Sequence, residues 1–193
     1  MSLNINCITG HNDHLYKHIQ QSIHTATSID IIVSFLMESG VKLIQKDLEE
    51  ILKAGLYAPS GMNRQTWQFT AIVNRGKIQR LAGLIEKKLK RIGYNFYNPS
   101  VIVLVSNEKT SNWGKEDSAC ALENMFLAAH SLGIGSVWIN QLKDICDEEE
   151  IRAYLNEIGV PENHDVYGIA ALGYALKAPN QDVVKKGIVK IVE

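Results

Sequence analysis

Residues 58–69, APSGMNRQTWQF, hold the densest set of side chains suited to meeting a ligand. Ser60 brings a hydroxyl, and Asn63 and Gln65 bring carboxamides that both donate and accept hydrogen bonds. None of the three ionises near neutral pH, so the loop offers positioning rather than acid–base chemistry. Pro59 and Gly61 mark a tight turn, and Gly61 leaves room for the backbone to approach a neighbour closely. Taken alone, the stretch also fits an ordinary polar turn that feeds Trp67 and Phe69 into a core. No histidine pairs with Ser60 in a recognisable triad order, which argues against hydrolysis. No side chain is assigned as a catalytic acid, base or nucleophile.

Other reactive groups are sparse. His11, His14 and His18 are spaced to share a helical face, and three imidazoles suffice for zinc. A solvated stretch near the terminus explains them better, and no metal site is expected. Cys7, Cys120 and Cys146 are odd in number and far apart, with no CxxC, which fits a reducing, cytoplasmic compartment. Cys120 is expected to be a small buried hydrophobe. With 20 basic and 21 acidic residues the net charge is −1, so no field points to nucleic acid or a membrane surface. No apolar run approaches the roughly 18 residues of a membrane span, and the first residues lack the apolar core of a signal peptide. A chain of 193 residues with 46% apolar content suits one ordinary globular domain.

The elements that must position the loop are legible around it. Asp47 and Glu50 form a capping-box pattern ahead of Leu48, Ile51 and Leu52, with Gly55 as a stop. Residues 66–74 read as a strand. Residues 76–93 read as an amphipathic helix burying Ile78, Leu81, Leu84, Ile85, Leu89 and Ile92. Residues 99–106 are continuously apolar, as in a central strand covered on both faces. A long apolar helix over 115–133 carries Glu123 and Asn124, polar groups that need a partner, an interface or solvent. A short strand (136–140), a helix capped by Asp147 with Glu150 at the box position, and a Gly/Ala-rich strand (166–175) follow. The tail 187–193 suits a last short strand. Before residue 46, a helix with Leu15, Ile19 and Ile23 precedes an apolar stretch, Ser28–Met37, of ambiguous type. Gly-x-Gly occurs only after the long helix, so the dinucleotide fingerprint is absent.

APSGMNRQTWQF resembles the Ala-Pro-Ser-x-x-Asn-x-Gln-Pro-Trp-x-Phe motif of the nitroreductase family of FMN-dependent oxidoreductases. The preceding LEEILKAG, the helix opening EDSACALENMFLAAHSLGIGSVWI and the late strand GIAALGYA match in order, over about residues 46–192. The resemblance implies an α+β fold in which helices flank a central mixed sheet, assembled as a homodimer with FMN at the interface and each site built by both subunits. It implies NAD(P)H as electron donor, with ping-pong reduction of a nitroaromatic or quinone-like small molecule. Pro59, Ser60, Gly61, Asn63 and Gln65 would contact the cofactor, and Gly135, Ser136, Val137 and Trp138 would lie against the flavin ring. Lys185 and Lys186 would meet the phosphate as point charges.

The chain departs from that pattern in two places. Thr66 stands where proline is usual. The family's Arg-Arg-Ser-x-Arg opening becomes Gln20, Gln21, Ser22, Ile23 and His24, leaving Gln21 and Ser22 as uncharged candidates for the phosphate. Residues 1–45 therefore form an atypical segment ahead of a flavin-binding domain at 46–193, and residues 25–44 faintly resemble a phospholipase-D-like module without its catalytic motif. The alternative for the whole chain is a protein of this fold with weakened or lost flavin binding, acting as a non-catalytic binding module.

Overall fold

The computed structural model describes residues 46–174 and 184–192. The helix expected over 12–27, the stretch Ser28–Met37, the three N-terminal histidines and Gln21 and Ser22 lie outside the described residues. The first element, α1, covers residues 46–56 and turns Leu48 and Ile51 into the core. Lys46 is already helical, so Asp47 sits inside the first turn rather than capping it. Gly55 does not stop this helix. It is buried where α1 meets its neighbours, and a Cβ there would run into the side chains of Met125 and Phe69.

After a short 3-10 turn at Gly61–Asn63, the chain runs through β1 (Gln68–Ile72), α2 (Arg75–Leu89), β2 (Val101–Glu108) and α3 (Gly114–Ser131). It ends in β3 (Gly135–Ile139), α4 (Glu149–Glu157) and β4 (His164–Gly173). The strands form one sheet in the order β1-β2-β4-β3. All its pairings are antiparallel, for instance Ala71 with Val103, Val103 with Ala170 and Ala170 with Trp138. A parallel strand that would make the sheet mixed is not among the described residues. The fold is α+β in three layers. Ile102, Leu104, Ile169 and Ala171 face α2 and α4, while Val103, Val105, Ala170 and Leu172 face α1 and α3. The unbroken apolar run of β2 follows from this, because residues 101–107 are buried on both faces.

The structure corrects several boundaries. α2 ends at Leu89 because Lys90 takes a left-handed φ of 54°, so Ile92 falls outside the helix and is 99% exposed. The cap position of α4 belongs to Glu148. Asp147 instead bridges Lys109 at 2.7 Å and Arg152 at 2.8 Å, and its hydrogen bond with Lys109 lowers its pKa. Cys120 is exposed, because α3 turns Ala121, Leu122, Met125 and Ala129 inward and leaves Cys120, Glu123 and Leu127 on the opposite side. Among the described residues the buried thiol is that of Cys146. Residues 184–192 form no strand. Ile188, Val189, Ile191 and Val192 are each more than four-fifths exposed there. Among the described residues, no helix is long and apolar enough to cross a membrane, and no cluster of metal-ligating side chains occurs.

Candidate functional site

The loop ahead of β1 is built from its own polar groups and from two supports beneath it. The Ser60 carbonyl accepts from the Asn63 amide at 2.9 Å, and the Gly61 carbonyl accepts from Arg64 at 3.2 Å, which closes the 3-10 turn. The Gln65 amide donates to Ser60 Oγ at 3.2 Å, and Gln65 Nε2 donates to Asn63 Oδ1 at 2.7 Å. Ser60, Asn63 and Gln65 thus gather on one small loop. Pro59, Asn63 and Gln65 are exposed, and Ser60 and Gly61 half-buried.

Met62, Asn63 and Gln65 hold φ of 53°, 54° and 51°. Asparagine tolerates this left-handed region, but methionine and glutamine do not favour it. Such residues cost of order 1–3 kcal/mol each and persist only where surrounding structure over-determines them.

The surrounding structure is specific. The Gly61 amide donates to Asp117 Oδ1 at 2.8 Å, joining the loop to the first turn of α3. Asp117 is only 5% exposed. The open side of Gly61 lies against the Trp113 ring, and a Cβ would stand 2.6 Å from it. The space Gly61 leaves beside its Cα is therefore filled by Trp113. The Arg64 guanidinium sits over the same ring, 5.6 Å from its centre. At the loop's other end, the Thr66 hydroxyl donates to Asn107 Oδ1 at 2.6 Å. That oxygen also accepts from the Glu108 amide at 2.9 Å, which fixes the orientation of the carboxamide. Asn107 Nδ2 and Ser118 Oγ, both buried, have no partner among the described residues.

The second predicted segment is β3. Gly135 and Ser136 are half-buried, while Val137 and Trp138 are each 43% exposed. Trp138 packs on Phe126 of α3 with ring centres 6.1 Å apart. Just beyond the strand, Gln141 Oε1 accepts from the Tyr94 hydroxyl at 3.3 Å. β3 is one edge of the sheet and β1, fed by the motif loop, is the other. Three inter-strand steps of roughly 4.8 Å put about 14 Å between the two edges. The structure thus gathers each segment by itself, the loop ahead of one edge strand and Gly135–Trp138 on the other. Lys185 and Lys186 are exposed. Asn124 resolves plainly, donating from Nδ2 to the Ala54 carbonyl at 3.1 Å and tying α3 to α1, while Glu123 faces solvent.

A separate cleft of about 530 Å³ opens beside the first turn of α3, lined by Lys109, Lys115, Lys143, Asp144, Asp165 and Tyr167 among others. None of the predicted binding residues lines it. Its charges are mixed, and Lys109 is already paired with Asp147.

The supports of the loop, Trp113, Asp117, Thr66 and Asn107, were not predicted as functional. Their one sequence signal is the acidic start of an otherwise apolar helix, because a buried carboxylate requires a donor.

The residues fit a flavin mononucleotide in part. The loop supplies a neutral hydroxyl and carboxamides, which suit ribityl hydroxyls and a carbonyl-rich ring edge, and the cations suited to a phosphate are the exposed lysines.

Comparison with known proteins agrees with this architecture. The family model of the nitroreductase family matches residues 42–96 and 86–174. A protein of Archaeoglobus fulgidus with the provisional name NADH dehydrogenase/NAD(P)H nitroreductase is 33% identical over 146 residues, covering 73% of this chain and 79% of that protein. A crystal structure of a nitroreductase with bound FMN from Bacteroides fragilis superposes with a TM-score of 0.73 at 47% identity, covering 77% of this chain and 87% of the other. An FMN-bound nitroreductase from Desulfitobacterium hafniense shares the fold at 23% identity and a TM-score of 0.67. The chain belongs to the nitroreductase family, and by class it is an oxidoreductase.

Proposed function

We propose that the protein is an FMN-dependent oxidoreductase that draws on NAD(P)H and reduces nitroaromatic or quinone-like acceptors in ping-pong order. It works as a homodimer whose two subunits share each flavin. The observation that supports this reading is that the motif loop leads into one edge strand of the described sheet while Gly135–Trp138 lie on the other. On this reading each chain presents half of the contacts to one cofactor, and a second copy supplies the other half. The bound FMN of the Bacteroides fragilis nitroreductase supports the choice of cofactor.

When bound, the flavin supplies the electron transfer itself. This chain's residues hold and orient it. Ser60, Asn63 and Gln65, with the Pro59–Gly61 backbone, present neutral groups. Gly135–Trp138 cover a ring face, with Trp138 limiting access of water. Lys185 and Lys186 balance the phosphate, and Gln21 and Ser22 stand where the family places cations. No side chain is assigned a proton-transfer role, and solvent supplies protons.

The apolar surfaces favour a dimer. Leu127 is 60% exposed on α3, and Leu56 and Tyr57 are 56% and 76% exposed at the end of α1. With the apolar tail they present surface that a second copy would cover. Residues 1–45 are proposed as a segment apart from the domain at 46–193, and the compartment as cytoplasmic.

The test is direct. Purified protein is heated to release its ligand, which is run against FMN and FAD standards. NAD(P)H oxidation is then followed with a nitroaromatic or quinone acceptor. FMN release and acceptor-dependent turnover are expected. FAD, or no flavin after soaking with excess FMN, overturns the reading.

A further inference from the structure

We infer that Asp117, Trp113 and the Thr66–Asn107 pair form a two-ended clasp that holds the motif loop in its ligand-ready shape, making them positioning residues for the proposed flavin. The inference rests on that flavin reading for its ligand, and on the apo chain's own geometry for its mechanism. Between the two ends, Met62 and Gln65 sit in left-handed backbone that their side chains disfavour. The loop's internal hydrogen bonds involve exposed groups, which water replaces at little cost. The bonds to the scaffold differ. Gly61 donates to a carboxylate 56 residues away that is 5% exposed, and Thr66 donates to an asparagine that is fully buried.

Each end sits on a rigid element. Asp117 belongs to the first turn of α3, and Asn107 to the end of the central strand β2. Trp113 closes the Gly61 end sterically, because no side chain larger than hydrogen fits against its ring. The Thr66 end explains a departure from the family motif. Proline fixes the backbone by its ring, whereas threonine here fixes it by a hydroxyl that reaches Asn107 at 2.6 Å. Losing either end frees the loop to relax from its strained shape, and the ligand must then order it again on binding, which lowers affinity.

The test uses the full chain, its parent sequence and the variants Asp117→Ala, Asp117→Asn and Thr66→Val. Amide hydrogen exchange is measured on the flavin-free proteins, and FMN is titrated by fluorescence quenching. A hydrogen bond to a charged group is strong enough that its loss should speed exchange of residues 60–66 by about tenfold or more. Exchange of β2 should stay unchanged, which separates local release from general unfolding. FMN affinity of Asp117→Ala should fall by about tenfold or more. Asp117→Asn keeps the accepting oxygen and should restore both readouts to within roughly threefold of the parent.

Parental exchange rates in Asp117→Ala overturn the clasp. So does a loosened loop with unchanged affinity, or an asparagine variant as impaired as the alanine one. Should Asp117→Ala fail to fold, Thr66→Val decides by the same two readouts at the other end. If the parent takes up no FMN, the flavin reading fails, and loop exchange alone still judges the clasp.

Discussion

The motif loop at residues 59–66 and the tail at residues 184–192 are both candidate cofactor segments, yet they are built in opposite ways. The loop is short, polar and fastened. Its turn closes on itself, its glycine is pressed against an indole, and its ends are bonded to a buried carboxylate and a buried carboxamide. The tail is apolar and uncovered, with Lys185 and Lys186 exposed and no regular secondary structure. A segment whose shape is set by its own chain brings a preorganised half-site. A segment rich in exposed isoleucine and valine gains its place only from something that covers it. On the proposed reading, the comparison assigns the neutral contacts to the fastened loop and the cationic ones to a segment that a second copy would have to cover.

Substituting glycines in the two regions should widen the contrast most. At Gly61 an alanine Cβ would meet the Trp113 ring at 2.6 Å, whereas at Gly187 nothing lies within 4 Å. Overpacking typically costs 1–3 kcal/mol, so Gly61→Ala should weaken FMN by about ten- to a hundredfold. Gly187→Ala should leave affinity unchanged. Fluorescence titration of both variants checks this, and equal affinities would erase the distinction between the regions.

Charge sharpens it next. Replacing Lys185 and Lys186 by glutamine should lower FMN affinity by about tenfold and flatten its dependence on salt. Gln21→Arg should tighten binding by about tenfold, since a guanidinium forms charge-assisted bonds to phosphate that an amide does not. Titrations at low and high salt measure both. An unaltered affinity in Gln21→Arg would mean that residues 20–24 do not occupy the family's phosphate position.

The smallest effect concerns the scaffold. His164 is 8% exposed at the start of β4, and Ser106 Oγ lies 3.2 Å from its Nδ1. Burial lowers its pKa below the ordinary value of 6.5, opposed by nearby Glu108. The unfolded chain therefore takes up the proton first, so stability present above about pH 6.5 is lost as pH falls toward the folded value. Urea melts at pH 7.5 and 5.5 should show this loss in the parent and a smaller one in His164→Gln. The same loss in both would assign the pH dependence elsewhere.

The layers of the fold were legible because burial imposes periodicity. The unbroken apolar run in β2 and the spacing of Ile78, Leu81 and Ile85 in α2 needed no tertiary knowledge. The loop was legible from its density of turn-formers. Its supports were not, because Asp117 reaches Gly61 across 56 positions and Asn107 reaches Thr66 across 41. No local pattern records such pairings. The same limit misplaced Cys120 and Asp147. A helix mostly apolar in composition still leaves one side uncovered, and a carboxylate at a plausible cap position was claimed by Lys109 and Arg152.

The central claim is that each flavin is held by the loop of one chain and the β3 edge of the other. Subunit mixing tests it most directly. Gly61→Val and Trp138→Ala are prepared separately, each confirmed by light scattering as a dimer and by titration as unable to hold FMN. They are then dissociated, mixed in equal amounts and reassembled. If the site is shared, half of the dimers are mixed and each carries one intact site, so about a quarter of all sites should regain FMN. If loop and strand of the same chain form the site, every site keeps one defect and none recovers, which would contradict the account.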